Sequence, residues 1–181
     1  MVQTDIYTQG YGKHQIAPVV NQNGNQASNY ENTILSSVSD LAGVHHACIA
    51  GMTLNIANSY AMAYIYSLKG INGIIVSSEM DENNIQMSID AFVKRYGFRP
   101  YLYQFIYGRR TLMYIKDGFT DDPEAKYISD LQKKSCVVQK NCDTSEILEP
   151  EIIRKENHVC YGTYKIVQSA DEYHKIKEEN E

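Results

Sequence analysis

The fold is decided by residues 71–115, INGIIVSSEMDENNIQMSIDAFVKRYGFRPYLYQFIYGRRTLMYI. The stretch opens with residues 71–77, which are apolar and rich in β-branched side chains. This composition predicts a short, mostly buried strand. Ser78 or Asp81 can then cap a helix, because a side-chain oxygen accepts hydrogen bonds from the first free amides. The stretch therefore begins with a strand that leads into a helix.

The predicted helix has an apolar stripe and a defined end. The stripe consists of Ile85, Ile89, Phe92, Val93 and Tyr96. This spacing places the five side chains on one side of a helix. Lys94 and Arg95 fall in the last turn, and Gly97 provides the left-handed residue that commonly ends a helix. Because Pro100 follows, we expect the chain to continue in an extended conformation.

Further elements complete the predicted domain. Residues 101–107 and 111–115 predict two strands joined as a hairpin. Thr144 or Ser145 can cap a second helix, and residues 158–167 predict a final strand. The order strand, helix, strand, strand, helix, strand is that of a ferredoxin-like split βαβ unit, in which two helices cover one face of an antiparallel sheet. We therefore predict an α+β fold of this type.

The remaining chain falls into segments of different composition. We expect an extended or disordered arm (1–29), a charge-poor helical segment (30–68), the α+β domain (69–168) with an exposed insertion at 118–143, and a charged C-terminal tail (169–181). The arm is rich in Gln, Asn and Gly, so it buries too little surface to order by itself. We expect it to be disordered in solution, or extended on a neighbouring subunit.

The charge-poor segment predicts a long helix that needs a partner. No charged residue lies between Asp40 and Lys69, and apolar residues follow helical spacing. Residues 41–68 could contact a membrane, but the polar side chains among them, such as Asn55 and Asn58, argue against a membrane span. We instead predict packing against copies of the same helix or against another protein of the assembly. The residues predicted for this contact are Ile49, Met52, Ile56 and Tyr60.

Composition argues against several classes of function. The net charge of −5 disfavours a protein that binds nucleic acid by general electrostatics. The four cysteines lack the paired spacing of a zinc site, and the first twenty residues do not resemble a signal peptide. His158 and Cys160 alternate onto one face of the last predicted strand, but no third orienting group accompanies them. We predict no catalytic site, no metal and no cofactor.

An aromatic row in the first strand of the predicted hairpin leaves two interpretations open. The row and its flanking cations consist of Tyr101, Tyr103, Phe105, Tyr107, Arg109 and Arg110. On an open sheet, such a face can stack single-stranded bases. Alternatively, the same face packs against protein.

Residues 73–100 resemble the C-terminal module of tail-knob proteins from small short-tailed phages. In that family a strand leads into a helix that ends with a basic residue, an aromatic residue, a glycine and a further aromatic residue, as residues 94–98 do here. A long charge-poor segment precedes the module in the family, and residues 41–68 occupy that place. The resemblance implies a smaller virion component that shares this module.

Together these features predict a non-enzymatic structural subunit of a phage tail or other virion assembly. Its partners would be copies of itself and other virion proteins, and it would be made in the host cytoplasm. Two alternatives remain, a single-stranded nucleic-acid-binding module and a small host-interaction protein, which would be cytoplasmic.

Overall fold

The computed structural model describes residues 4–9, 33–35, 37–38, 41, 47–116, 127–129, 135–141, 144–167 and 170–178. Within these ranges the chain is a mixed α/β protein with two sheets and three helices. The strands are β1 (Thr4–Gln9), β2 (Thr33–Leu35), β3 (Cys48–Ala50), β4 (Ile71–Ile75), β5 (Leu102–Gly108), β6 (Thr111–Lys116), β7 (Tyr127–Ser129), β8 (Ser135–Asn141), β9 (Thr144–Leu148), β10 (Ile153–Arg154) and β11 (Gly162–Val167). The helices are α1 (Ser59–Ser67), α2 (Glu82–Tyr96) and α3 (Ala170–Glu178), and Met52–Leu54 forms one 3₁₀ turn.

The larger sheet, called the main sheet below, has the strand order β1-β11-β5-β4-β3-β2. All of these neighbours are parallel, and β10 adds a short antiparallel pairing with β5. Parallel neighbours require a crossover connection. Helix α1 lies in the crossover from β3 to β4, and α2 lies in the crossover from β4 to β5. The two helices contact each other and share one buried cluster with the sheet.

Helix α2 forms as its sequence predicts. The Asp81 side chain caps the helix by accepting a hydrogen bond from the Asn84 amide at 2.7 Å. At the other end, Gly97 has φ of 76° and its amide donates to the Val93 carbonyl. Ile85, Ile89 and Phe92 are buried, whereas Val93 and Tyr96 at the edge of the predicted stripe are exposed. Local capping and periodicity are therefore sufficient to define this element.

The main sheet buries side chains on both faces. Ile74 and Leu102 pack under α1 and α2, while Ile75, Tyr103 and Phe105 belong to a second cluster. Burial on both faces is typical of a parallel sheet.

The second sheet is antiparallel, with the order β6-β9-β8-β7. It is built from the chain between β5 and β10. The predicted insertion at 118–143 thus contains two strands of this sheet, β7 and β8. Ile147 and Leu148 of the inner strand β9 are both buried.

The ferredoxin-like arrangement is not confirmed. Strands β5 and β6 exist as predicted, but they belong to different sheets and do not form a hairpin. The predicted second helix is wrong, because the residues assigned to it form β9 and β10. A short apolar run such as Ile147-Leu148 fits a buried strand as well as a helix.

The predicted long helix in residues 30–68 is also wrong. Its described part consists of β2, β3, the 3₁₀ turn and only nine residues of helix, α1. Gly51 directly follows β3, and a Cβ atom added there would lie 2.6 Å from the Leu35 carbonyl oxygen. The backbone at Gly51 is therefore too close to the end of β2 for any side chain. Asn58 is the N-cap of α1 and accepts hydrogen bonds from the Tyr60 and Ala61 amides at 3.0 and 2.9 Å.

Both ends of the described chain lie on the main sheet. Of the predicted arm, residues 4–9 form β1 and pair with β11 of the same chain, and residues 10–29 lie outside the described residues. In the predicted tail, α3 packs Ile176 against Tyr107 and Val167. These segments therefore contribute to the fold instead of extending from it.

Candidate functional site

Polar side chains gather where β4 and β5 end. Ser77, Ser78 and Glu79 follow β4, and Arg109 and Arg110 follow β5. Ligands of open parallel sheets commonly bind outside the carboxyl ends of the strands. This cluster, called the carboxyl-edge cluster below, is therefore the first place to look for a site.

Arg110 is the centre of the carboxyl-edge cluster. Its Nε donates to Glu149 Oε1 at 3.0 Å, its Nη2 forms an ion pair with the same oxygen, and its Nη1 donates to Ser78 Oγ at 3.3 Å. The hydrogen bond to Glu149 raises the pKa of the Arg110 guanidinium, and the charges of Glu149 and Glu79 act in the same direction while burial opposes them. The Glu149 side chain is 16% exposed, and its Oε2 has no hydrogen-bond partner among the described residues.

Arg109 completes an internal clamp. Its Nη1 donates to the carbonyl oxygens of Glu149, at 2.7 Å, and Pro150. The two arginines thus hold the segment between β9 and β10 against the end of β5. The Arg109 and Arg110 guanidinium groups thus bind oxygens of the chain itself, and their predicted interaction with a partner stays a prediction.

The predicted aromatic row does not lie on an open face. Tyr103 and Phe105 are only 8% and 2% exposed, and the Phe105 ring packs against Tyr164 with centroids 6.1 Å apart. Burial, together with the neighbouring Tyr161 and Tyr101, raises the pKa of Tyr103 to about 12. Only Tyr101, which precedes β5, is exposed. Large apolar or aromatic residues occupy both odd-numbered and even-numbered positions of β5. This pattern indicated a strand that is buried on both faces.

The predicted helix-contact residues are also dispersed. Ile49 in β3 and Ile56 before α1 are buried in the protein's own core, and Met52 is partly buried against the second cluster of the main sheet. Tyr60 on α1 is exposed. Of the predicted interaction residues, Tyr60 and Tyr101 are exposed, whereas Met52, Arg109 and Arg110 are partly buried.

Cys160 is not placed as a nucleophile. It lies in the loop before β11, where its amide donates to Asn157 Oδ1 at 2.9 Å. Burial raises the pKa of the Cys160 thiol to about 12, although Arg99 opposes this shift. A thiol with this pKa is protonated at neutral pH and is a weak nucleophile. The nearby His158 ring contacts Glu156 at 3.0 Å.

Strand β6 exposes a surface that the sequence analysis missed. Leu112, Met113 and Tyr114 are each more than half exposed. In the described part of the chain β6 has one sheet neighbour, β9, so its other edge has no strand partner there. Three consecutive large apolar residues in one predicted strand were a signal for this surface, but their exposure depends on how the second sheet forms.

The described residues contain no group of three or more His, Cys, Asp or Glu arranged to hold a metal ion. Among the helices in the described ranges, none has the length and apolar character that a membrane crossing requires.

No protein-family model matches the chain, and comparisons with curated proteins and with solved structures find no match.

Proposed function

We propose that the chain is a non-enzymatic structural subunit held in an assembly by protein–protein contacts, and that β6 is one of its contact surfaces. The observation that carries this proposal is the exposure of Leu112, Met113 and Tyr114 on β6, the edge strand of the second sheet. Copies of the same chain and other proteins of the assembly are its partners.

Exposure on both faces distinguishes β6 from its neighbour. Met113 and Tyr114 follow the register shift in β6 and, as consecutive strand residues, point to opposite faces. In β9, by contrast, Ile147 and Leu148 are both buried. The apolar interior of the second sheet therefore ends at β9, and a partner that covers β6 would extend it. Burial of one large apolar side chain contributes about 1.5–3 kcal/mol before the costs of association.

The edge of β6 that has no strand partner among the described residues supports pairing with another strand. Unpaired edges with exposed apolar side chains are templates for strand addition, and proteins commonly protect them with charges or proline. Residues 112–115 contain neither, and the first charge is Lys116 at the end of the strand. A partner strand would add main-chain hydrogen bonds to the apolar contact.

A virion is the setting that we propose, because residues 73–100 resemble the module of phage tail-knob proteins. A host-interaction protein is the alternative that uses the same surface. It would bind a host protein through β6 and would not associate with its own copies.

The test measures the mass of the full chain by sedimentation at protein concentrations up to about 0.1 mM, which detects weak association. We expect the mass to increase with concentration, and the double variant Met113→Lys, Tyr114→Lys to reduce this increase. Met87→Lys is the matched control, because Met87 is also more than half exposed but lies on α2. A wild-type chain that remains monomeric, or an equal loss in Met87→Lys, would contradict the proposal.

A further inference from the structure

A second exposed surface lies where α1, the end of α2 and the start of β5 meet. It contains the partly exposed rings of Tyr60, Tyr64, Tyr96 and Phe98 and is called the aromatic surface below. None of these rings belongs to β6, so the surface is separate from the proposed assembly contact.

The buried Phe92 ring holds the Tyr96 and Phe98 rings of this surface in place. The buried Phe92 ring lies 4.8 Å from the Tyr96 ring and 5.1 Å from the Phe98 ring, measured between centroids. Tyr66 also packs on Phe92, at 6.0 Å, and its hydroxyl donates to the Tyr101 carbonyl at 2.8 Å. Anchored rings lose little conformational freedom when a ligand stacks on them.

Arg95 adds a cation to the aromatic surface. Its guanidinium lies 4.1 Å from the centroid of the Tyr60 ring, and its Nη1 donates to Ser59 Oγ at 2.7 Å. The Tyr60 side chain is nevertheless 67% exposed. An aromatic ring with an arginine on it is a common arrangement for stacking a base beside a phosphate.

The two chain segments that carry this surface contain basic residues but no acidic residues. Residues 58–69 and 91–101 contain four basic residues, Lys69, Lys94, Arg95 and Arg99, and no acidic residue. The whole chain, by contrast, has 22 acidic and 17 basic residues. A local excess of positive charge in an acidic protein favours an anionic ligand.

We infer that the aromatic surface binds single-stranded nucleic acid. Bases would stack on the exposed rings, and phosphates would contact the surrounding lysine and arginines. Protein interfaces are also enriched in aromatic residues and arginine, but the local excess of positive charge favours the anionic ligand over a protein partner. This inference goes beyond the proposed assembly function and assigns the binding to residues other than the buried Tyr103 and Phe105.

Fluorescence anisotropy of the full chain with labelled oligothymidylate of about 12 nucleotides tests the inference. We expect binding that weakens as salt rises, with a slope of about −2 to −3 in a plot of log affinity against log salt, from three or four phosphate contacts. The same sequence in a duplex should bind more weakly, because its bases are not free to stack.

Two matched pairs of variants separate stacking and charge from general effects. Tyr60→Ala should weaken binding roughly 5- to 150-fold, which corresponds to one lost base stack. Tyr127→Ala should leave binding unchanged, because Tyr127 is 65% exposed but lies on the second sheet. Arg95→Gln should reduce both the affinity and the salt slope, whereas Arg154→Gln, which removes the other arginine–tyrosine stack, should not.

Circular dichroism confirms that each variant is folded before binding is compared. Absence of binding at low salt, or equal losses in Tyr60→Ala and Tyr127→Ala, would overturn the inference. If Tyr60→Ala instead lowers the mass of the chain in sedimentation while no oligonucleotide binds, the surface is a protein interface and the inference fails. The β6 variants leave the aromatic surface intact, so failure of one proposal is distinguishable from failure of the other.

Discussion

Replacement of Phe92 by alanine tests the packing of α2 most directly. Phe92 is 1% exposed and contacts three other rings, those of Tyr66, Tyr96 and Phe98. Deletion of a buried phenylalanine ring costs about 3–5 kcal/mol, which combines lost burial with the cavity that remains. Phe92→Leu retains most of the apolar volume and loses mainly the ring contacts, so we expect a cost of about 1–2 kcal/mol.

Urea denaturation followed by far-UV circular dichroism provides the assay, since the chain has no tryptophan. The midpoint should fall in the order wild type, Phe92→Leu, Phe92→Ala with an unchanged slope, because only stability changes. Met87→Ala on the exposed side of the same helix is the control and should change stability by less than about 0.5 kcal/mol. A loss below about 1 kcal/mol for Phe92→Ala would refute the core position of this ring.

Two further predictions concern backbone strain and pH. Gly97 has φ of 76°, and a Cβ atom added there would meet nothing within 4 Å. Gly97→Val should therefore lower the thermal midpoint clearly through backbone strain, while Gly97→Asn lowers it little. Equal effects of the two substitutions would argue against strain as the cause. Burial raises the pKa of Tyr103 to about 12 in the folded protein, against about 10 in the unfolded chain. The neutral Tyr103 side chain therefore contributes its full share of folding stability below pH 10, and this stability is lost as pH rises from about 10 to 12. Across that pH window the wild-type protein should therefore lose up to about 3 kcal/mol more folding stability than Tyr103→Phe, which cannot ionise. Parallel curves of stability against pH for the two proteins would contradict this.

The elements that sequence predicts well are those whose determinants are local. Helix α2 has its cap at Asp81, its buried stripe and its stop at Gly97 within one short stretch. The strands β5 and β6 are also evident from their own residues. Their partners are not, because β5 pairs with β4 and β11 in parallel, and β6 pairs with β9, through contacts between distant parts of the chain.

The candidate site shows the same division between local and distant determinants. Arg109 and Arg110 are visible in the sequence as cations after a strand. Their role depends on Glu149 and Pro150, which directly follow β9 and lie about forty positions later in the chain. The fold places these two residues against the end of β5. A sequence pattern cannot show that these guanidinium groups are already occupied by carbonyl and carboxylate oxygens of the same chain.

The position of β11 between β5 and β1 has a consequence for how the protein is made. Thr4 pairs with Gly162 in parallel, so β1 has a native neighbour that lies far later in the chain. Until β11 is synthesised, β5 has one open edge and β1 has nothing to dock on. Pairings between distant residues form slowly, because a long loop must close first. The main sheet is therefore completed only after β11 has been synthesised, and chaperones that cover exposed strand edges would act on this protein in the interval before β11 emerges.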